Sequence, residues 1–428
     1  MRVLTDSRFT KLRSPIGTLY ITGITNIPSS DIHKSLDNKT FPENLRGNFA
    51  LIYISTDVKC FAVDHYSTIP IFYSDTSVGN IYFKIRDEST IKPKNSFIQK
   101  VIDSHGGYNL GYETNVKGVR RVEPGSYVWN GEIKYYVQVF KSELNEFDPE
   151  YLRFLFKQAI ERVADEENLL MLSGGKDSNA ILGCMLHWGI PIETMTLYSD
   201  RQLFTETSIV KQLDKEYGIE TCYANIEYSG KILGNENDRY YSFWTENPFG
   251  AKRKAVKQHL YDKYTILTGE GGPSVFLQTP LLYAIQKDNV HIKDIIRFLV
   301  IETMSHHKIH SSNPEYIKEE NRDVLEYTIE EYYKIWKRMP DDMDLANRIL
   351  HLQSSDVSSY RAFTYTQDEE IKWAHPFFDW DFVYYISNLP AKYKVGKLMF
   401  KEAFGDMISL TPWKYPKNGL SIPATSKY

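Results

Sequence analysis

One segment, Leu169 to Asn179 (LLMLSGGKDSN), restricts the possible folds of this chain more than any other. Residues 169–172 are all apolar, and such a short run is typical of a buried parallel strand. The Ser-Gly-Gly sequence at 173–175 follows as a turn that no bulky side chain obstructs. A helix is predicted from Ser178 to about Trp188. The segment therefore predicts a strand, a glycine-rich loop and a helix in direct succession.

A loop of this kind suits an anion. The N–H groups in the first turn of a helix have no partner within the helix, and glycine lets the backbone approach an anion closely. Ser173 and Ser178 add hydroxyl donors. Asp177 would repel a bare phosphate, so its presence indicates a metal ion that bridges the carboxylate to phosphate oxygens. The alternative is an ordinary glycine-rich turn, and the spacing does not match the GxxxxGKS loop of P-loop NTPases.

Length and charge limit the remaining possibilities. A chain of 428 residues is longer than one hydrophobic core usually serves, so two domains are expected. A net charge of −4 indicates neither a nucleic-acid nor a membrane partner, and no apolar run is as long as a membrane span. The first residues lack the apolar core of a signal peptide, and the few cysteines suit a reducing compartment. A cytoplasmic location is therefore expected.

The pattern along the chain changes near residue 145. Residues 1–140 contain short β-branched and aromatic runs, Ile81–Phe83 among them, which predict an antiparallel, layered β-sandwich. From Pro149 onward helical and strand patterns alternate, which predicts a doubly wound parallel sheet of the α/β class. After about Leu281 the pattern is helical and predicts a helical extension. The predicted domains are 1–140 and 149–428.

The SGGKDS sequence resembles the pyrophosphate-loop motif of ATP pyrophosphatases, and several other segments together resemble the asparagine synthetase family. These segments follow the family's order and approximate spacing: RGNFALIYI (46–54), VDHYSTIPIFY (63–73), VKGVRRVEPGSYV (116–128), SGGKDS (173–178), LTGEGG (267–272), HPFFDWDFVYYISNLP (375–390), KLMFKEAF (397–404) and KNGLSIP (417–423).

The resemblance implies a class II glutamine amidotransferase-like N-terminal domain and a C-terminal ATP pyrophosphatase domain, with ATP and Mg²⁺ as cofactors. It implies three catalytic residues: Lys417, Lys397 and Glu270. The nucleotide-binding residues that it implies are Leu172, Ser173, Gly174, Gly175, Lys176, Asp177, Ser178, Gly269 and Glu270. Asp177 and Glu270 are the expected metal ligands. Lys176 is expected to point either to solvent or to phosphate.

The first departure from the family concerns the glutaminase nucleophile. That nucleophile is a cysteine at the mature N-terminus, whereas Arg2 is the second residue here and Cys60 is internal. An internal cysteine cannot act beside its own N-terminal amine. The N-terminal half is therefore expected to lack glutaminase activity, as in the β-lactam synthetases and lasso-peptide cyclases of the family.

The second departure concerns the metal site. Where the family carries the aspartate of its GADE sequence, this chain has Pro273 after Gly272, and Ser274 replaces the glutamate. Asp177 is retained, and Glu270 could take over the missing role. The sequence thus allows either an altered ATP site or one that has lost its chemistry.

These patterns predict an ATP-dependent ligase that adenylates a carboxylate and joins it to an amine or ammonia. The expected partners are a small-molecule or peptide carboxylate and a nitrogen donor, with a homodimer left open. Two alternatives remain at this point: a nucleotide-binding scaffold without catalysis, and a pyrophosphatase-type enzyme that modifies nucleotides or tRNA.

Overall fold

A computed structural model describes most of the chain. The described residues are 1–85, 114, 116–136, 144–198, 206–225, 263–272, 291–297, 299–300, 322–339, 341, 343–352, 372–394 and 397–414. Within these residues no helix is both long enough and apolar enough to cross a membrane.

The chain divides into two compact units of three segments each: Met1–Leu144, Phe276–Gln367 and Ser387–Ala391 in the first, and Asn145–Val275, Asp368–Ile386 and Lys392–Tyr428 in the second. Residues 276–367 thus group with the N-terminal residues. The predicted domains, 1–140 and 149–428, stay a prediction.

The first unit contains two sheets. Six strands form a sheet in the order β10-β9-β5-β4-β3-β2, and four form a sheet in the order β1-β7-β6-β8. The strands are β1 Arg2–Leu4, β2 Thr10–Arg13, β3 Gly17–Thr25, β4 Gly47–Ser55, β5 Lys59–Val63, β6 Phe72–Tyr73, β7 Ser77–Gly79, β8 Arg120–Arg121, β9 Ser126–Trp129 and β10 Glu132–Tyr135. All pairs of the larger sheet are antiparallel. The smaller sheet is mixed, since β1 pairs with β7 in parallel.

Strand β4 shows why the sequence forms layers here. Successive side chains of a strand point to opposite faces of the sheet. Phe49, Leu51 and Tyr53 belong to one buried cluster, together with residues of the helix Ser29–Asp37. The alternate residues, Ala50 and Ile52, belong to a second cluster that includes residues of the smaller sheet. The predicted antiparallel sheet is confirmed. The prediction of a strand at Ile81–Phe83 is wrong, because the helix Tyr82–Ile85 lies there.

A buried ionic group ties the helix Arg322–Arg338 into the first unit. Glu123 is only 1% exposed, and its Oε1 lies 2.5 Å from Nη2 of Arg338. The Tyr135 hydroxyl donates a hydrogen bond to the other carboxylate oxygen. A buried carboxylate without such partners would be strongly destabilising, so these contacts fix this helix against the N-terminal strands. Further helical residues of this unit lie at 292–297, 299–300 and 345–352.

Two buried histidines of the first unit should make its stability sensitive to acid. The rings of His65 and His351 lie 5.3 Å apart between centroids. Burial lowers the pKa of His351 to about 4, and it lowers the pKa of His65 well below its usual value, with His351 adding to that effect. As pH falls below about 6.5, the unfolded chain binds protons that the folded protein does not. The stability present above that pH is therefore lost as pH falls towards 4.

We expect the free energy of unfolding to fall across this pH window, with up to about 3 kcal/mol of the loss due to His351. Urea denaturation at about pH 7 and about pH 4.5 measures the loss. His351→Phe should show a smaller loss, because its ring cannot be protonated. His291→Asn, at an exposed position of the same unit, is the control. Equal acid sensitivity in the wild type and His351→Phe would contradict this expectation.

The second unit contains a five-stranded parallel sheet in the order β13-β12-β11-β14-β15. The strands are β11 Asn168–Met171, β12 Glu193–Tyr198, β13 Cys222–Asn225, β14 Thr265–Leu267 and β15 Lys372–Ala374. Its helices are Pro149–Glu161, Lys176–His187, Glu206–Tyr217, Leu398–Phe404 and Thr411–Lys414, with a short 3₁₀ turn at Pro376–Phe378. Two further helices, Trp380–Asn388 and Ala391–Lys394, each have residues in both units. The predicted parallel sheet is confirmed.

The helix Pro149–Glu161 begins as its sequence predicts. Asp148 is the N-cap and accepts hydrogen bonds from the backbone N–H groups of Glu150 and Tyr151. Pro149 occupies the first helical position, where its missing N–H is not needed. The helix buries Phe156 completely among four phenylalanine rings: Phe377, Phe382, Phe400 and Phe404. This aromatic cluster brings the chain after residue 372 against the start of the unit.

Candidate functional site

The strand order places the glycine-rich loop at a special position of the parallel sheet. Strand β11 is followed along the chain by β12 and β13 on one side, whereas β14 and β15 lie on its other side. The sheet therefore changes its direction of growth between β11 and β14. In open α/β sheets, ligands bind at such a switch point, beyond the carboxyl ends of the strands. The loops after β11 and β14 are thus neighbours, which brings 172–178 beside 268–272.

The loop after β11 is ordered by its own serines. The Ser178 hydroxyl donates to the carbonyl oxygen of Ser173 at 3.0 Å and accepts from the Ser173 N–H at 3.1 Å. The Gly175 N–H donates to Oγ of Ser173 at 3.2 Å. Both hydroxyls, predicted as donors to phosphate, therefore hold the loop in shape. Leu172 is buried, and its N–H donates to the carbonyl of Met195 at 2.8 Å, which fixes the start of the loop to β12.

The helix after this loop begins at Lys176, two residues earlier than predicted. Its N-cap, Gly175, is extended and offers no side chain to cap the helix. The N–H groups of the first turn thus lack the usual side-chain cap, and the positive end of the helix dipole faces the loop. Free N–H donors and the positive end of the helix dipole both favour an anion at this position.

Asp177, in the first turn, forms an ion pair with Lys397. Nζ of Lys397 donates a hydrogen bond to Oδ1 of Asp177, although the two residues are far apart in the sequence. Their side chains are 16% and 18% exposed, so water screens the pair only in part. The contact brings together two residues that the sequence predicted separately, one as a metal ligand and one as a catalytic lysine.

Lys397 has an unusual backbone. Its φ of 62° and ψ of 29° lie in the left-handed region, at the N-cap of the helix Leu398–Phe404. A residue with a β-carbon pays about 1–2 kcal/mol there, and such strain persists only where the surroundings impose it. The carbonyl of Lys397 accepts hydrogen bonds from the N–H groups of Phe400 and Lys401 at 3.1 and 3.4 Å. This strained turn directs the lysine towards the loop.

Lys176 supplies a second ammonium group beside Asp177. Its Nζ lies 5.3 Å from the centre of the Trp413 ring, a distance at which a cation and an aromatic face attract. Burial lowers the pKa of Lys176, and the positive charge of Lys397 lowers it further, against the opposing effect of Asp177. The side chain of Lys176 thus lies over the Trp413 ring at the site. Its contact with phosphate stays a prediction.

A β-carbon would not fit at two glycines of these loops and would be tightly packed at a third. A β-carbon on Gly272 would lie 2.2 Å from Oδ1 of Asp177, and one on Gly269 would lie 2.9 Å from the Ser178 nitrogen. A β-carbon on Gly174 would meet Ile209 at 3.0 Å, so this glycine is needed for packing against the helix Glu206–Tyr217. The binding of a nucleotide phosphate at Gly174 stays a prediction.

The loop after β14 contains a pair that the sequence did not single out. Oγ1 of Thr268 lies 2.7 Å from Nδ1 of His375 and also accepts from the Glu270 N–H at 3.2 Å. Burial lowers the pKa of His375 to about 4, although the nearby charge of Glu270 opposes this effect. His375 is therefore neutral near pH 7. His375 is the first residue of the HPFFD segment, and the resemblance of that segment to the family was the only indication in the sequence that this histidine could lie at the site.

Asp177 is a plausible metal ligand by its chemistry. Magnesium is commonly held by one or two carboxylates together with substrate phosphates, so Asp177 suits it once phosphates are present. Among the described residues there is no group of three or more acidic, histidine or cysteine side chains that could hold a metal by themselves. Glu270 stays a predicted ligand. Lys417, Pro273 and Ser274 lie outside the described residues.

Comparison with known proteins identifies the family. The family model described as asparagine synthase matches residues 151–427, which is well over half of the chain. The chain belongs to the asparagine synthase family. Membership supports ATP-dependent amidation or ligation in general, and the match contains both loops and both lysines, Lys397 and Lys417. The glutaminase-like character of residues 1–140 stays a prediction.

Several solved structures resemble part of the chain. An NH₃-dependent NAD synthetase from Campylobacter jejuni covers 49% of this chain and 94% of its own, at 12% identity and a TM-score of 0.25. An NMN synthetase from Francisella tularensis gives the same identity and coverage, with a TM-score of 0.23. A U34-tRNA thiolase from Methanococcus maripaludis is 15% identical over 46% of this chain and 77% of its own, with a TM-score of 0.21. Scores this low support no conclusion about fold or function. No curated protein sequence matches the chain.

Proposed function

We propose that this asparagine synthase family member is an AMP-forming ligase that joins a carboxylate to an amine or ammonia without hydrolysing glutamine. The observation that carries the proposal is the meeting of Asp177, Lys176 and Lys397 at the switch point of the parallel sheet. Lys397 is distant in the sequence from the adjacent residues Lys176 and Asp177. The two ammonium groups suit a nucleotide's phosphates, and the carboxylate suits a metal ion bound to them.

The reaction has two steps. A carboxylate oxygen of the substrate attacks the α-phosphorus of ATP, and the bond from that phosphorus to the bridging oxygen breaks, which releases pyrophosphate. A nitrogen nucleophile then attacks the carbonyl carbon of the acyl-adenylate, AMP leaves, and the nitrogen gives up a proton. AMP is a far better leaving group than hydroxide, so adenylation makes the amide-forming step accessible.

The residues of the chain would act mainly by charge and position. The loop at 173–178 would hold phosphate oxygens on backbone N–H groups, and Lys397 and Lys417 would offset the charge that develops on the departing phosphates. Asp177, with Glu270 in the role of the missing family aspartate, would hold magnesium, which supplies bridging positive charge when bound. The proposed partners are a small-molecule or peptide carboxylate and a nitrogen donor, in a cytoplasmic protein that could form a homodimer.

The lack of glutamine hydrolysis has support in the first unit. Cys60 is completely buried, and burial raises the pKa of its thiol, whereas a nucleophilic cysteine needs an accessible thiolate. The second candidate function is a nucleotide-binding scaffold without catalysis. It is favoured by Pro273 and Ser274 in place of the family's acidic residues.

Exchange of labelled pyrophosphate into ATP separates the two candidates. We expect the wild type to catalyse exchange with one class of carboxylate in a library, because only a reversible adenylation regenerates ATP. Asp177→Asn should reduce that exchange by roughly a hundredfold or more. ATP binding without exchange for any carboxylate, in a folded protein, would favour the scaffold.

A further inference from the structure

We propose that Lys397 and a divalent cation are competing partners of the Asp177 carboxylate. Lys397 contacts this carboxylate, and phosphate groups must draw the lysine away before a metal ion can bind there tightly. The inference rests on the proposed nucleotide site at residues 173–178, but not on the ligase reaction.

The first argument is the contact itself. Oδ1 of Asp177 already accepts a hydrogen bond from Nζ of Lys397, and the pair is largely shielded from water. A dication at the same carboxylate would lie within a few ångströms of the ammonium group, and repulsion between them is strong where water is scarce. Metal binding and the ion pair therefore oppose each other.

The second argument is the local charge. Lys176 lies beside Asp177 and is close enough to Lys397 for the two ammonium groups to repel each other. The single negative charge of Asp177 thus attracts two ammonium groups, those of Lys176 and Lys397. A metal ion arriving alone at the Asp177 carboxylate is repelled by both ammonium groups, whereas a polyanion is attracted by them. Phosphates should bind first, or together with the metal ion as one complex.

The third argument is the space around the carboxylate. The Gly272 backbone closes one side of Asp177, because a β-carbon there would lie only 2.2 Å from Oδ1. The left-handed backbone of Lys397 fixes the direction from which its side chain arrives. A metal ion at Oδ1 would meet both the Gly272 backbone and the ammonium group of Lys397, so Lys397 has to move before the ion can bind that oxygen.

The consequence is a thermodynamic coupling. If phosphate draws Lys397 away from Asp177, phosphate raises the affinity for the metal ion, and the metal ion raises the affinity for phosphate by the same factor. Couplings between sites commonly amount to between about fivefold and 150-fold. The protein would then accept the nucleotide and its metal ion as a unit.

The test measures Mn²⁺ binding by the loss of the electron paramagnetic resonance signal of free Mn²⁺, with and without inorganic pyrophosphate. Matched titrations without protein give the Mn²⁺ that pyrophosphate itself binds, and this amount is subtracted. Lys397→Asn removes the ammonium group, and asparagine tolerates the left-handed backbone at this position. We expect this variant to bind Mn²⁺ alone roughly tenfold more tightly than the wild type. Pyrophosphate should strengthen Mn²⁺ binding by roughly tenfold or more in the wild type and by clearly less in Lys397→Asn.

Two further variants control the result. Lys397→Arg keeps the positive charge and should retain the wild-type coupling, whereas Asp177→Asn should lose tight Mn²⁺ binding in both conditions. Lys401→Gln removes an exposed positive charge from the same helix and should behave as the wild type. Circular dichroism confirms that each variant is folded.

The outcomes separate this inference from the proposed function. If pyrophosphate binds but Lys397→Asn leaves Mn²⁺ affinity and its response to pyrophosphate unchanged, the competition does not exist. If pyrophosphate fails to bind the folded wild type, the nucleotide site itself is wrong, and both proposals fall. If the coupling is present but no carboxylate supports exchange, the competition stands and the ligase proposal fails.

Discussion

Gly272→Ala is expected to weaken binding of magnesium–ATP by roughly tenfold to a hundredfold while the protein stays folded. The added β-carbon would lie 2.2 Å from Oδ1 and 2.4 Å from Cγ of Asp177. Contacts this short cannot persist. The carboxylate of Asp177 can rotate away from the new β-carbon, whereas the backbone of Gly272 cannot easily move. The predicted metal ligand would then be misplaced. Isothermal titration with magnesium–ATP measures the affinity, and thermal unfolding measures the stability.

Two other glycine variants make the test specific. In Gly269→Ala the β-carbon would press on the Ser178 nitrogen at 2.9 Å, so both affinity and thermal stability should fall. Gly189→Asn is the control, because it follows the other end of the helix Lys176–His187 and has open space around it. Asparagine tolerates its positive φ. Unchanged magnesium–ATP affinity in Gly272→Ala would remove Asp177 from the nucleotide site.

The largest loss of stability is expected for Phe156→Ala. Phe156 is fully buried, and its ring centre lies between 5.1 and 5.9 Å from those of four other phenylalanines. Removing a buried phenyl ring leaves a cavity and typically costs about 3–5 kcal/mol. Urea denaturation should show this fall in the free energy of unfolding. Because the cluster includes Phe400 and Phe404, the variant should also loosen the segment that carries Lys397.

Phe154→Ala provides the matched comparison. Phe154 lies on the same helix, two residues earlier, but its side chain is 53% exposed. Its removal should change the free energy of unfolding by no more than about 0.5 kcal/mol. Similar losses in the two variants would mean that the phenylalanine cluster does not hold this unit together.

The parts of the fold that the sequence predicted are those with a strong local pattern. Strand β4 is a nine-residue β-branched and aromatic segment whose five central side chains are all buried, and Asp148-Pro149 carries a helix start that needs no distant partner. The strand β15, Lys372–Ala374, was missed because three residues are too short for a periodic pattern. Its formation depends on pairing with β14, which only the folded chain supplies.

The candidate site shows the same limit. The SGGKDS loop could be recognised because its chemistry is contiguous, although the use of both serine hydroxyls within the loop could not. The pairing of Asp177 with Lys397, the ring of Trp413 under Lys176, and the contact of Thr268 with His375 join residues that are distant in sequence. No local pattern encodes such contacts. They follow from the strand order and from the aromatic cluster around Phe156.

The left-handed backbone of Lys397 has a consequence for directed evolution of this protein. Glycine or asparagine would suit that conformation better than lysine, so either substitution removes a local cost. The same substitutions would leave the partly buried carboxylate of Asp177 without the ammonium group of Lys397, which lowers stability. Selection for heat resistance alone would therefore weigh backbone strain against this ion pair, and each clone that loses the lysine would also lose an ammonium group beside the glycine-rich loop.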